Sequence, residues 1–191
     1  MCDAEARSDA LPGLAGGLET RAAKSRLEEE VVAWFDQFRD RLGRYLLSFG
    51  LTVPDAEEVI QETFLSLFQH MRDGKSRHNL RGWLFRVAHN LALKRKHESR
   101  RDSTVSGQIG ALEEMVIDRS PNPEEQMAER EGGQRLRAVV QALPEPDRRC
   151  LYLRAEGLRY REIAEILDIS LGAVSISLAR SLARMARAAY R

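Results

Sequence analysis

Apolar residues in this chain recur at helical spacing, and the period-two alternation of strands is scarce. The clearest run is Ala56, Val59, Ile60, Thr63, Phe64, Leu67, Phe68 and Met71. This i, i+3, i+4, i+7, i+8 pattern lasts about four turns and predicts a helix with one buried face. Its start is marked as well. Thr52 suits an N-cap, Pro54 suits the first turn, and Asp55 completes a capping-box pattern. An earlier helix is predicted over Leu27 to Phe49, with Val31, Val32, Phe35, Phe38, Leu42, Tyr45 and Leu46 in one stripe and Gly50 as its stop. A polar loop, Arg72 to Asn79, centres on Asp73-Gly74. After it, a third helix over Leu80 to Arg100 turns Trp83, Leu84, Val87, Ala88 and Leu91 inward.

Periodicity then fails through "STVSGQIGALEEMVIDRSPNPEEQ", which predicts a linker with at most one short helical piece. Helix returns over Asn122 to Leu143. "LPEPDRR" breaks it, and a new helix starts between Pro144 and Pro146 and runs through Cys150, Leu151, Leu153 and Ala155. A turn at Gly157 leads to two closely spaced helices, Tyr160 to Leu167 and Leu171 to Tyr190. The expected fold class is all-α: two small helical domains joined by a flexible linker, the second a helix-turn-helix. The expected limits are an arm over 1–24, a first domain over 25–101, an acidic linker over 102–131 and a second domain over 132–191. Ala, Gly and small polar residues predict a disordered arm. The two halves show no repeat.

Net charge is +1, which by itself says nothing about nucleic acid, but its distribution does. Residues 81–101 hold seven Lys/Arg and one acid, a net of +6. Residues 102–131 hold eight acids and two arginines, a net of −6; residues 132–191 hold eleven arginines and six acids, a net of +5. Two basic modules with an acidic connector follow. Cys2 and Cys150 form no disulfide framework and fit a reducing, cytoplasmic setting, with Cys150 as an ordinary buried thiol. No apolar run approaches the ~18 residues of a membrane span, and the start lacks the regions of a secretory signal. His70, His78, His89 and His97 lack metal-site spacing, so no metal or other cofactor is expected. No Gly-rich phosphate loop or Ser/His/Asp order points to an enzyme or a small-molecule substrate.

The most specific local signal is "YREIAEILDISLGAVSISLARSLARM". Ala164 is small where two helices must cross, and Ile163, Leu167, Ile169, Val174 and Leu178 are spaced to lock the corner. Asp168 stands at a corner where glycine is common. Ser170 suits an N-cap and Gly172 permits close backbone approach, so the second helix offers a phosphate seat followed by Arg180, Arg184 and Arg187. The outward positions Ala173, Ser175, Ile176 and Ser177 are uncharged, which predicts weak or partly apolar base reading.

The stretches "DAEEVIQETFLSLFQHM", "LRGWLFRVAHNLALKRK" and "ALPEPDRRCLYLRAEGLRYREIAEILDISLGAVSISLARS" together resemble a bacterial RNA polymerase sigma factor of the extracytoplasmic-function class, over roughly Val31 to Met185. The resemblance implies a chain that joins core polymerase and directs promoter recognition and DNA melting. Asp55, Glu58, Gln61, Glu62 and Leu65 would meet the β′ clamp coiled coil, and the second domain the β flap. Arg77, His78, Asn79, Arg86, Asn90 and Lys94, with Lys96, would hold the −10 element, Asn90 lying where the family's base pocket has its asparagine. Ser170, Gly172, Ser175, Ile176, Arg180 and Arg184 would meet the −35 element. Trp83 is a stacking candidate, but its place on the apolar side favours core packing. The resemblance also implies possible capture by an anti-sigma factor, and no insertion into membrane. The competing readings are a helix-turn-helix regulator with a helical sensor domain and an anti-sigma-like interaction protein. A sensor domain has no reason to carry the "DAEE..QETF" helix; the uncharged recognition helix is what suggests the interaction protein.

Overall fold

Turn residues divide the chain into helices. The computed structural model describes residues 12–102 and 133–189, and all regular structure among them is helical. Helix α1 (Pro12–Ser48) ends at Gly50, whose φ of +80° is a left-handed conformation that favours glycine. Helix α2 (Val53–Arg72) follows the Thr52 cap, and α3 (Leu80–Asp102) follows Asn79. A helix over 133–141, α4, precedes α5 (Glu145–Ala155), α6 (Tyr160–Leu167) and α7 (Leu171–Ala189).

The expected arm is partly helical instead, because α1 starts at Pro12 rather than Leu27. Proline suits a first turn, and the Ala, Leu, Glu and Arg that follow are good helix formers. The rest of the arm with Cys2, and the acidic linker after Asp102, lie outside the described residues.

Helices α1 to α3 pack as one bundle around Phe38, Leu42, Tyr45 and Leu46 from α1, Val59, Ile60, Phe64 and Leu67 from α2, and Leu84, Phe85, Ala88 and Ala92 from α3. Val32, expected in the α1 stripe, is 57% exposed. The bundle covers α1 fully only from Phe38 onward, and Trp34, which stacks on Phe38 with ring centroids 5.0 Å apart, is half-buried. Helix α3 buries more than its apolar stripe predicts: Phe85 packs edge-on against Tyr45, His89 lies against Tyr45 and Phe49, and Ala92 is buried as well.

His89 Nδ1 shares a 2.7 Å hydrogen bond with Tyr45 Oη, so the buried polar atoms satisfy each other. Burial, helped by the charge of Arg149, lowers the His89 pKa to about 4, and the ring is neutral at pH 7. Burial likewise pushes the Tyr45 phenol well above its ordinary value.

The C-terminal helices enclose Cys150, Leu153, Leu158, Ile163, Ile166, Val174 and Leu178. Burial raises the Cys150 thiol pKa, opposed by a hydrogen bond with Ser177 and reinforced by the Asp147 charge.

The two halves touch, α5 against α1 and α6 against α3. The Arg149 guanidinium sits 4.0 Å from the centre of the Phe49 ring, a cation–π contact, and pairs with Glu145. Lys96 Nζ donates to Phe49 O at 3.1 Å and to Glu145 Oε1 at 2.5 Å. Burial alone would raise the Glu145 pKa, but hydrogen bonds and charge from Lys96 and Arg149 hold it below the usual carboxylate value. Arg148 donates to Ser48 O at 3.1 and 3.2 Å, and Arg41 Nε lies 2.5 Å from Glu156 Oε2.

Candidate partner and nucleic-acid interfaces

The acidic side of α2 begins at its cap. Thr52 Oγ1 accepts from the Asp55 N–H at 3.3 Å and donates to Asp55 Oδ2 at 2.6 Å. Arg95 of α3 then reaches both nearby acids, its Nε donating to Asp55 Oδ1 at 3.0 Å and its Nη2 pairing with Glu58. Positions three apart on a helix share a face, so one guanidinium serves both. Asp55 and Glu58 therefore have an internal cation before any external one. A turn further on, Gln61, Glu62 and Leu65 are exposed together, Leu65 at 58%. A large apolar side chain that exposed beside a carboxylate and an amide has the composition of a docking surface.

The basic side is built from the loop after α2 and the outer face of α3. Arg77 Nη1 donates to Glu30 Oε2 of α1 at 2.7 Å, which ties the loop to the bundle. His78 is exposed, and its backbone N–H donates to Ser76 Oγ at 3.3 Å. Asn79 adopts φ 55°, a conformation asparagine tolerates better than most residues, and its Oδ1 accepts from the Gly82 N–H at 3.2 Å. It is thus the cap of α3. A Cβ on Gly82 would lie 2.5 Å from Asn79 Nδ2, so the close approach needs glycine here.

The same Nδ2 donates to Glu162 Oε1 of α6 at 2.6 Å, and Arg86 Nη2 donates to Glu165 Oε2 at 2.5 Å. Arg81 Nη2 donates to Gly157 O at 3.1 Å. Asn90 and Lys94 are exposed farther along α3. Lys96, expected to follow a nucleic-acid strand, is instead half-buried and engaged with Phe49 O and Glu145. Trp83 is half-buried beside His70, ring centroids 4.6 Å apart, and His70 Nε2 donates to Ser76 O at 2.8 Å. Among the described residues no three metal-ligating side chains converge.

Helices α6 and α7 form the helix-turn-helix. The chain turns through 105° between them, with Ala164 buried at the crossing and Asp168 in the left-handed conformation at φ 53°, ψ 49°. Ser170 caps α7 by accepting from the Ala173 N–H at 3.1 Å. Gly172, Ala173, Ser175, Ile176 and Arg184 are exposed, and a Cβ at position 172 would meet only Ser170 Oγ, at 3.9 Å.

Ser177 was expected to face outward and is buried. It shares the inward stripe with Val174, Leu178 and Ser181, and its Oγ donates to Asp147 Oδ1 at 2.7 Å. Arg180 closes the same carboxylate, its Nη2 donating to Oδ1 at 2.9 Å while Nε lies 2.8 Å from Oδ2. A buried carboxylate on α5 thus holds α7 through two side chains. Nothing in the spacing of α7 announces this, because the partner lies thirty residues upstream on another helix.

An apolar groove of about 570 Å³ opens between α4, α5 and α7, lined chiefly by Leu136, Val140, Leu151, Tyr152 and Met185. No single helix among the described residues is long and apolar enough to cross a membrane.

Comparison with known proteins agrees with this layout. Residues 34–102 match the model for Sigma-70 region 2, and residues 133–185 match Sigma-70, region 4. The ECF RNA polymerase sigma-E factor of Escherichia coli strain K12 is 30% identical over 147 residues, 71% of this chain and 74% of that protein. The RNA polymerase sigma factor CnrH of Cupriavidus metallidurans is 29% identical over 143 residues, 72% of this chain and 75% of the relative. The ECF sigma factor SigE of Mycolicibacterium smegmatis is 30% identical over 142 residues, and there the match spans only 53% of the relative's length. Among solved structures, CnrH in complex with the cytosolic domain of CnrY superposes with a TM-score of 0.53 at 21% identity, covering 87% of this chain and 94% of that one. RpoE in complex with the anti-sigma factor NepR from Bartonella quintana gives 0.60 at 16% identity, covering 84% and 94%. With two region models matched in order on an all-helical fold, this chain belongs to the extracytoplasmic-function class of the sigma-70 family of RNA polymerase sigma factors.

Proposed function

We propose that the chain joins core RNA polymerase through the outer face of α2 and directs it to promoters through α3 and α7. The observation that carries the polymerase assignment is the exposed Leu65 beside Gln61 and Glu62, on a helix whose opposite face is fully packed. Carboxylates there suit a basic coiled coil such as the β′ clamp, where charge gives orientation and encounter rate more than affinity. The apolar groove between α4, α5 and α7 suits an apolar helix of the β flap. Promoter contacts divide between the halves. The loop Arg77–Asn79, with Arg86, Asn90 and Lys94 of α3, holds the −10 strand and a flipped base, whose unstacking costs a few kcal/mol that stacking and edge hydrogen bonds offset. Ser170, Gly172, Ser175, Ile176 and Arg184 face the −35 duplex, and Arg180 supplies only what Asp147 leaves free. As two solved relatives are complexes with CnrY and NepR, capture by an anti-sigma factor belongs to the same reading.

Run-off transcription with purified core polymerase across a genomic promoter library tests the whole. Discrete transcripts that need this chain are expected; none at any promoter would remove the assignment.

A further inference from the structure

The loop that leads into α3 is tethered from α1, α2 and α3. Arg77 is paired with Glu30 of α1. His70, in the last turn of α2, binds the loop twice: its carbonyl accepts from the Lys75 N–H at 3.2 Å, and its ring meets Ser76 O at 2.8 Å. A carbonyl only accepts, so the ring carries its proton on Nε2. That ring also leans on Trp83 of α3, with 4.6 Å between centroids. Ser76 passes the restraint on, because its Oγ accepts from the His78 N–H at 3.3 Å. Asn79 closes the loop as the cap of α3.

The side chains that the loop presents are unequally engaged. Arg77 is held by Glu30 and Asn79 by the Gly82 N–H, whereas the His78 ring is exposed, with no hydrogen bond or ion pair to it among the described residues. His78 and Trp83 line one polar cavity of about 210 Å³ between the loop, α3 and α6. His70 thus touches both the loop backbone and one wall of that cavity. We propose that His70 is a positioning residue for promoter selection: it fixes the loop before DNA arrives, so that His78 meets the flipped base of the −10 strand in one orientation. The proposal rests on the assignment of this loop to the −10 strand above. Restraint of this kind sharpens selection, since the cost of unstacking a base is offset best by contacts already in place. A loop free to shift would find some contact with every base.

The test uses holoenzyme assembled from core polymerase and each variant, transcribing a promoter from the run-off library whose −10 region is randomised one position at a time. His70→Phe keeps a ring against Trp83 and removes the N–H. His70→Gln restores an N–H at about the reach of Nε2. Ser76→Ala, on the exposed loop, frees the His78 N–H without touching α2. The readout is the ratio of transcript from the best base to that from the worst, at the −10 position whose preference His78→Ala removes. His70→Phe should lower that ratio about fivefold, as expected for one neutral hydrogen bond, with core-binding affinity and dependence on the −35 element unchanged. Ser76→Ala should lower it about threefold, and His70→Gln should stay within about twofold of the parent. A ratio kept by both His70→Phe and Ser76→Ala overturns the proposal. So does transcription that falls equally for every base, which is what a merely structural role would give, or a His70→Gln variant no better than His70→Phe. If His78→Ala flattens the preference while His70→Phe does not, only the positioning role fails. If His78→Ala changes no −10 preference, the assignment of the loop to the base fails with it.

Discussion

Helices α2 and α3 lie side by side in one bundle and carry opposite charge, yet their outward faces are treated differently. On α2 the acids nearest the cap are paired by Arg95, and the middle of the face, Gln61, Glu62 and Leu65, is exposed. Near the start of α3 the Asn79 amide and Arg86 meet carboxylates from α6 and Arg81 meets Gly157 O, while Asn90 and Lys94 are exposed without such partners toward its far end. The acidic face is therefore ready for a protein partner in the free chain, while the basic face is partly filled.

The contrast can be attacked from the core outward. The largest effect should come from the interior of α3. His89 has its pKa lowered to about 4 in the folded chain against 6.5 unfolded, so the unfolded state binds the extra proton first. Stability is then fully present above pH 6.5 and is lost between 6.5 and 4, by about 3 kcal/mol. Urea unfolding at stepped pH should show this slope, and His89→Gln should flatten it. Next, Arg180→Ala should cost about 2 kcal/mol of stability, because it leaves the buried Asp147 carboxylate with Ser177 alone. Arg184→Ala should stay within about 0.5 kcal/mol. Equal thermal midpoints for the two would return Arg180 to the exposed face.

Glu62→Lys combined with Gln61→Lys should weaken core polymerase association about tenfold with the fold intact. A core-binding titration that finds unchanged affinity would detach the α2 face from polymerase. Gly82→Ala should cost about 1 kcal/mol, read by thermal unfolding, since its methyl displaces the Asn79 amide from the α3 cap. The smallest change in stability, within about 0.5 kcal/mol, belongs to Asn90→Ala. It should nonetheless impair promoter opening more than core binding, and a permanganate footprint with normal melting would clear Asn90 of the pocket.

Much of the local structure was legible because caps and turns are written in short range. Thr52 and Asp55 place the start of α2, and Ser170 places that of α7; Ala164 and Asp168 mark the helix-turn-helix corner. The wider burial of α3 was not legible. Phe85 and His89 go inside because Tyr45 and Phe49 pack on a second side of the helix, and these partners lie about forty positions upstream. The same limit hid Asp147, whose partners are Ser177 and Arg180 and whose own surroundings look like an ordinary helix start. On α2 the outward acids were visible, but that Arg95 takes two of them depends on the register between helices. A single helix's periodicity carries no such information.

Asn79 carries a chemical filter. Its amide cannot turn freely, since the carbonyl end is pinned by the Gly82 N–H while capping α3, and only the NH₂ end points outward. Whatever replaces the Glu162 carboxylate there must bring a lone pair rather than a proton. A group offering a carbonyl or carboxylate oxygen at that spot can take the hydrogen bond, and one offering only an N–H cannot.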